Sequence, residues 1–435
     1  RRSSDLCRKI KFTAKEIPAL KEEKNVWYLN EFLSSVRFEL EATKFPNQFY
    51  KSYSQTWEDL EDFLEKDTNF GTNLKISNPY KDEIKLLTDT IKEEKEKIEA
   101  VYKFVKEKIR WNKTYAFGGN DVRIAVKEGV GDNSQINMVL ISALKDIGIN
   151  VYPILISKRS SGRLPYTSPS LEAINTFIVG AETSTGEKYY MDGSSEHSGL
   201  NVLPEELLVL RGRILSKSQT EKWVDLTNIT RNQEIHLINC KINKNGILEG
   251  NINTVYTNQK ALSYKDNYLL SKDSIEYLDN FESHFQVTID SCKISGLEPM
   301  SNKISENMKF LKQDYSGDLL YINPMVFCHI TTNDFIQSER KLPIELNYPQ
   351  SILINSTISI PDNYQVIGIP ASKKIELNET CKCSYLIQQN ENKITLSYRF
   401  DFNQIVFPSD EYNSIKEFYE LVISKNKEMI VLKKI

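Results

Sequence analysis

GDNSQINMVLISALKDIG, residues 131 to 148, reads as one buried helix with both ends marked. Asp132, Asn133 or Ser134 supplies the N-cap, and Gly148 falls just past the C-terminus. Ile136, Met138, Val139, Leu140, Ile141, Ala143, Leu144 and Ile147 leave almost no polar face, so the helix belongs in the middle of its domain. The first turn of such a helix favours a thiolate, because free backbone N–H groups and the helix dipole stabilise negative charge there. Here that turn carries Asn133 and Ser134 and no thiol.

Working outward, three strands are expected after the helix: NVYPILIS at 150–157, NTFIVGA at 175–181 and EKYYMDG at 187–193. The polar loop SKRSSGRLPYTSPSLEA joins the first two, and a long loop beside a buried helix often borders a cleft. Before the helix, Thr56 is placed to cap a segment with Trp57, Leu60 and Leu64 on one face. Helices are also expected at 80–92 and 94–110, the latter with Ile98, Val101, Tyr102, Val105 and Ile109 in a stripe. Val36, Phe38 and Leu40 alternate as in a strand, and residues 1–55 read as the end of a truncated β-rich domain. Residues 56–225 form the core, and 226–435 read as a β-rich, sandwich-like domain with helices at about 258–283 and 410–425 and a closing strand, MIVLKK. The fold class is α+β.

Composition narrows the function. Lysine and arginine number 56 against 59 acidic residues, and a net charge of -3 provides no field for a polyanion, so nucleic acid is not an expected partner. No apolar run reaches the roughly 20 residues that cross a bilayer. The opening RRSSDLC lacks a methionine and a signal-type segment, so the chain reads as a fragment. Six cysteines are too few for a disulfide framework in a chain of 435 residues. Cys381 and Cys383 lie on one face of an expected strand, where packing or a disulfide fits better than zinc. There is no Walker loop, dinucleotide fingerprint or HExxH motif, and neither a cofactor nor a metal is expected.

The helix and the strands after it resemble the core of the transglutaminase-like superfamily, whose architecture, like that of papain, packs helices on an antiparallel sheet. In that family a Gly-rich turn precedes the catalytic Cys, the next strand opens with a His, and a later strand ends in an Asp. Counted back from Gly148, the Cys position falls on Asn133, and the His and Asp positions of the following strands fall on Asn175 of NTFIVG and Asp192 of YYMDG. EIPALKEE, TWEDL, SKRSSGRLPYTSP, LRGRIL and FPSDEYNSIKEFYELVISKNKEMIVLKK are similar to a group of Gram-negative envelope proteins with such a core between domains of unknown function. The resemblance implies an exported protein, periplasmic or associated with the outer membrane, with a peptide, glycan or envelope protein as partner.

An Asn has no titratable proton and no good nucleophilic atom, so Asn133 cannot replace the thiolate, nor Asn175 the general base. The implied protein is therefore a pseudoenzyme, a binding or scaffold module in which Asn133, Asn175 and Asp192 form a hydrogen-bonded strut or a relic of the fold. The alternative is a residual amidase, peptidase or acyl-transfer enzyme that uses Ser134, with His197 as base. One helical step turns a side chain by about 100°, which disfavours Ser134. Trp111, Tyr115 and Phe117 either wall a cleft or belong to the core. Arg159, Arg163, Arg211 and Arg213 either converge on a carboxylate or remain solvated. Asn133→Cys with Asn175→His is expected to rebuild a triad only if the cleft is open.

Overall fold

The computed structural model describes residues 11–16, 19–35, 42–43, 45, 51–52, 56–312, 318–327 and 330–435. The expected strand at Val36, Phe38 and Leu40 lies outside the described residues, as do Cys7 and Cys328. Strands β1 (Ala42–Thr43) and β2 (Lys51–Ser52) pair antiparallel. Helix α1 (Trp57–Lys66) starts from a reciprocal cap, in which Thr56 accepts the Asp59 N–H and the Asp59 carboxylate accepts the Thr56 N–H. Helices α2 (Lys81–Thr88) and α3 (Glu94–Lys108) follow, and α3 buries Ile98, Val101, Tyr102 and Val105.

Strand β3 (Arg110–Trp111), helix α4 (Val122–Glu128) and strand β4 (Val130–Gly131) then carry the chain to α5 (Asn133–Asp146), with β3 and β4 parallel. Gly131 is required by close approach, because a Cβ there would sit 2.7 Å from that of Ala125. Asp132 caps α5 in a reciprocal box with Gln135, and every residue from Asn133 to Leu144 is buried. Against α5 lies an antiparallel sheet of β5 (Asn150–Ile156), β6 (Thr176–Glu182), β7 (Lys188–Met191), β8 (Gly212–Ile214) and β9 (Trp223–Val224), in the order β7-β6-β5-β8-β9. Phe177 and Val179 of β6 join α3 and α5 in one core, while Tyr152, Ile154 and Ile178 pack with Leu203 and Leu207 in another. Period-two alternation thus divides the sheet between two apolar layers.

The C-terminal half contributes β10 (Asn232–Ile242), β11 (Leu248–Thr257), α6 (Gln259–Leu270), α7 (Ser274–Phe285), β12 (Thr288–Ser295) and β13 (Lys303–Lys312). It continues with β14 (Leu319–Ile322), β15 (Ile344–Glu345), β16 (Gln350–Ser359), β17 (Tyr364–Gly368), β18 (Lys373–Glu376), β19 (Cys381–Asn390) and β20 (Lys393–Phe402). Strand β21 (Val406–Phe407), helix α8 (Tyr412–Asn426) and strand β22 (Ile430–Lys434) end the chain. Among the described residues these form an eight-stranded sheet, β12-β13-β11-β10-β16-β20-β19-β18, antiparallel except where β10 meets β16. Its second layer is α8 with the three-stranded sheet β14-β22-β17, so the apolar filling lies between a large sheet and a mixed layer. Phe400 and Phe402 of β20 meet Phe418 of α8 there at ring separations of 6.0 Å. Cys381 and Cys383 are buried in this core as free thiols, which matches the packing alternative.

The segment before α1 is tied to the C-terminal half. Glu345 N–H donates to Asn25 O at 2.7 Å, Trp27 N–H donates to the Glu345 carboxylate at 2.7 Å, and Glu23 accepts the N–H groups of Lys341 and Leu342 at 3.0 Å each. The architecture is α+β with a β-rich C-terminal half. Among the described residues, no helix is long and apolar enough to cross a membrane.

Candidate functional site at the head of helix α5

Asn133 is the first residue of α5 and is completely buried, as are Thr176 and Asp192. Its Oδ1 accepts the Ala116 N–H at 2.9 Å, while Nδ2 donates to Thr176 Oγ1 at 2.6 Å and, more weakly, to Asp192 Oδ1 at 3.4 Å. The Asn133 N–H, at the helix end where an oxyanion would be held, instead donates to Thr114 O at 3.3 Å. The loop before the helix therefore engages both the Asn133 side chain and the first backbone N–H of α5.

The side chain that reaches Asn133 from β6 is Thr176, not Asn175. Asn175 turns its Oδ1 to the Lys158 N–H at 3.0 Å, and neighbouring side chains of an extended strand point to opposite sides. The expected Asn133–Asn175 contact is thus corrected by one residue. Asp192 does sit beside Asn133, at the end of β7.

One turn along α5 is a residue that the sequence reading passed over. Asn137 donates to Asp192 Oδ1 at 2.7 Å and to Phe177 O at 2.8 Å, and accepts the Gly193 N–H at 2.9 Å. On the other carboxylate oxygen, Asp192 receives the Ser194 N–H at 2.7 Å and the Ser194 hydroxyl. The Tyr102 hydroxyl donates to the Asp192 carbonyl at 2.7 Å. The signal was present as two asparagines four residues apart on a helix expected to be buried, each needing a partner there. Burial pushes the Asp192 carboxyl above its ordinary value, and the donors from Ser194, Asn137 and Asn133 oppose that push.

The aromatics and arginines occupy separate places. Trp111 and Tyr115 are half-buried with ring centroids 5.1 Å apart, and the Tyr115 hydroxyl lies 3.1 Å from Ser194 Oγ, so this pair borders the polar cluster. Phe117 stacks on Phe70 at 4.6 Å and belongs to the core. The four arginines do not converge. Arg159 lies 4.1 Å from the Trp27 ring and donates to Leu208 O and to Asn347, and Arg163, on the same ring, pairs with Glu31 and Glu345. Arg211 covers Tyr166, and Arg213 lies between Trp57 and Trp223, 5.3 Å from each, bonded to Glu61. Their charges are used in stacking and ion pairs that fasten the loop at 157–173 and α1 to their neighbours. The Ser134 hydroxyl is buried with no hydrogen-bond partner, and His197 Nδ1 is likewise unpartnered, so no hydrogen bond joins the two.

Lys106 of α3 donates to Ser198 O at 2.9 Å, with its ammonium 4.5 Å from the ring of Tyr102. Burial lowers it to about 7, with Asp192 acting in the opposite direction. Among the described residues, no group of acidic, His and Cys side chains is placed to hold a metal ion.

Comparison with known proteins bears on both halves. A family described as a domain of unknown function with solved structure, DUF3858, matches residues 318–432, the stretch from β14 to β22. Over 92% of the chain, the fold is similar to a crystal structure described as a "putative protease" from Parabacteroides distasonis, with 14% identity and a TM-score of 0.52. The chain spans 64% of the length of that protein. No curated protein matches the chain. The likeness concerns the fold alone.

Proposed function

We propose that this chain is a non-catalytic member of the transglutaminase-like superfamily, a binding or scaffold module of the bacterial envelope whose degenerate core works as a rigid connector. The observation that carries this reading is the state of Asn133: a carboxamide at the head of the buried helix, with no exposure and both ends of its amide engaged. A thiolate mechanism needs an ionisable sulfur, a base beside it and free donors for the oxyanion. At the corresponding places this chain has an amide, a threonine hydroxyl and an N–H already given to Thr114. Loss of both nucleophile and base costs on the order of a millionfold in comparable triads.

As a strut, the same residues have a clear role. Asn133 and Asn137 fasten α5 to β6 and to the end of β7, and Arg159, Arg163 and Glu345 fasten the core to the C-terminal half. The test is to assay the purified chain for hydrolysis and for cross-linking of peptide amides. No turnover above buffer is expected, for the wild type or for Ser134→Ala. Turnover that Ser134→Ala abolishes would overturn the proposal. Fractionation of cells that make the protein naturally tests the envelope assignment, with recovery in the envelope fractions expected and a purely cytosolic protein contradicting it.

A further inference from the structure

A second buried polar cluster lies beneath α7, on the inner face of the eight-stranded sheet, and the proposal above does not use it. Its centre is Glu306 of β13, 4% exposed. The Tyr264 hydroxyl and the Tyr277 hydroxyl, the latter at 2.9 Å, both donate to Glu306 Oε1, and among the described residues none donates to Oε2. Beside it, His236 bonds Thr254 Oγ1 at 2.9 Å and Glu234 at 3.0 Å, and Lys260 pairs with Glu234 at 3.3 Å. Burial raises Glu234, but His236 and Lys260 outweigh it and bring the carboxyl down to about 2. Glu234 is therefore a satisfied carboxylate. Burial holds Glu306 above its ordinary value, because the two tyrosine hydroxyls only partly compensate.

Glu306 lines a cavity of about 290 Å³ together with His236, Thr254, Phe281, Phe285 and Phe327. The three rings touch one another at centroid separations of 4.7, 5.1 and 5.2 Å. Phe281 and Phe285 are only half-buried, so the aromatic wall is the side nearer solvent. A carboxylate oxygen open to a cavity and without a donor can accept from an ammonium group, and aromatic faces attract cations. A ligand that brings an ammonium group on a small apolar body suits both features, whereas a carboxylate ligand would meet Glu306 and Glu234 with like charge.

We infer that this cavity is a binding site for a small organic amine, its ammonium donating to Glu306 Oε2 and its apolar body resting on Phe281, Phe285 and Phe327. The site is independent of α5 and of whether the core is catalytic. The test is calorimetric titration of the whole chain with 2-phenylethylamine, 2-phenylethanol and 3-phenylpropanoate as probes. The amine should bind at least tenfold more tightly than the alcohol, with no detectable binding of the carboxylate. Glu306→Gln, checked for folding by circular dichroism, should remove the preference for the amine. Phe281→Leu, which keeps an apolar wall at a half-buried helix position, should weaken amine binding at least threefold and decides the matter if the first variant fails to fold. Equal binding of the three probes, no binding of the amine at millimolar concentration, or unchanged binding in the folded variants would overturn the inference.

Discussion

Two of the buried carboxyls, Asp192 and Glu306, show opposite ways of arranging polar groups in a protein interior. Asp192 receives donors on both oxygens, from Asn133, Asn137 and Ser194, and none of it reaches solvent. Glu306 receives two donors on one oxygen and turns the other to an aromatic-walled cavity. A closed set of hydrogen bonds fixes geometry, while an open valence beside a space invites a partner. That contrast separates a strut from a site more sharply than burial does, since both groups are buried and both are raised by desolvation.

The contrast can be broken most forcefully at Asn137. Asn137→Ala would leave Asp192 Oδ1 without its shorter donor and strand Phe177 O and Gly193 N–H, so a loss of about 3 kcal/mol or more is expected in denaturant unfolding. A loss below about 1 kcal/mol would mean that the amide is not structural. Asp192→Asn should come next, at about 2 kcal/mol, because removing a buried charge is offset by an NH2 group facing other donors. The equivalent change at the open site, Glu306→Gln, should cost under about 1 kcal/mol, since its carbonyl oxygen can still accept from Tyr264 and Tyr277. If the two carboxyl variants were equally destabilised, the distinction between them would fail.

The pH dependence sharpens the same comparison. Asp192 and Glu306 have folded values above their unfolded ones, so the native state holds more protons above pH 4 and their contribution to stability falls as pH rises through that window. Lys106 lies at about 7 when folded against 10.5 when free, so the unfolded state binds more protons between those values and stability rises from pH 7 to 10.5. Lys106→Met should flatten the alkaline rise, and Glu306→Gln part of the acid-side fall, as read from unfolding midpoints at pH 5, 7 and 9. The smallest effect is expected at Ser134, whose hydroxyl is buried with no hydrogen-bond partner: Ser134→Ala should leave stability unchanged or improve it by up to about 1 kcal/mol.

Much of this arrangement could be read from residue order. The cap at Thr56, the helices from Trp57 and Glu94, the buried helix ending before Gly148 and the strands at 150, 176 and 188 all follow from periodicity and end signals, which are local. Asp192 was legible as the end of a strand. The face of β6 was not, because a completely buried strand has no polar alternation to reveal which of Asn175 and Thr176 turns toward the helix. The separation of the four arginines was also hidden, since it depends on Trp27, Trp57 and Trp223 arriving from distant parts of the chain. The parallel pairing of β10 with β16, more than a hundred residues apart, left no local mark, and neither did the cavity at Glu306, which draws on four strands and α7. The register of β6 also changes the restoration design, since a histidine placed to face position 133 must replace Thr176, not Asn175.

Alkylation of an Asn133→Cys variant, followed by peptide mass mapping at position 133, tests the closed state of the α5 head most directly. In the native protein at neutral pH, iodoacetamide should reach that sulfur only at the rate of unfolding, because the position has no exposure and is covered by the loop through Thr114 and Ala116. Rapid native-state alkylation, as fast as in the denatured chain, would show an open, thiolate-ready cleft and contradict the strut.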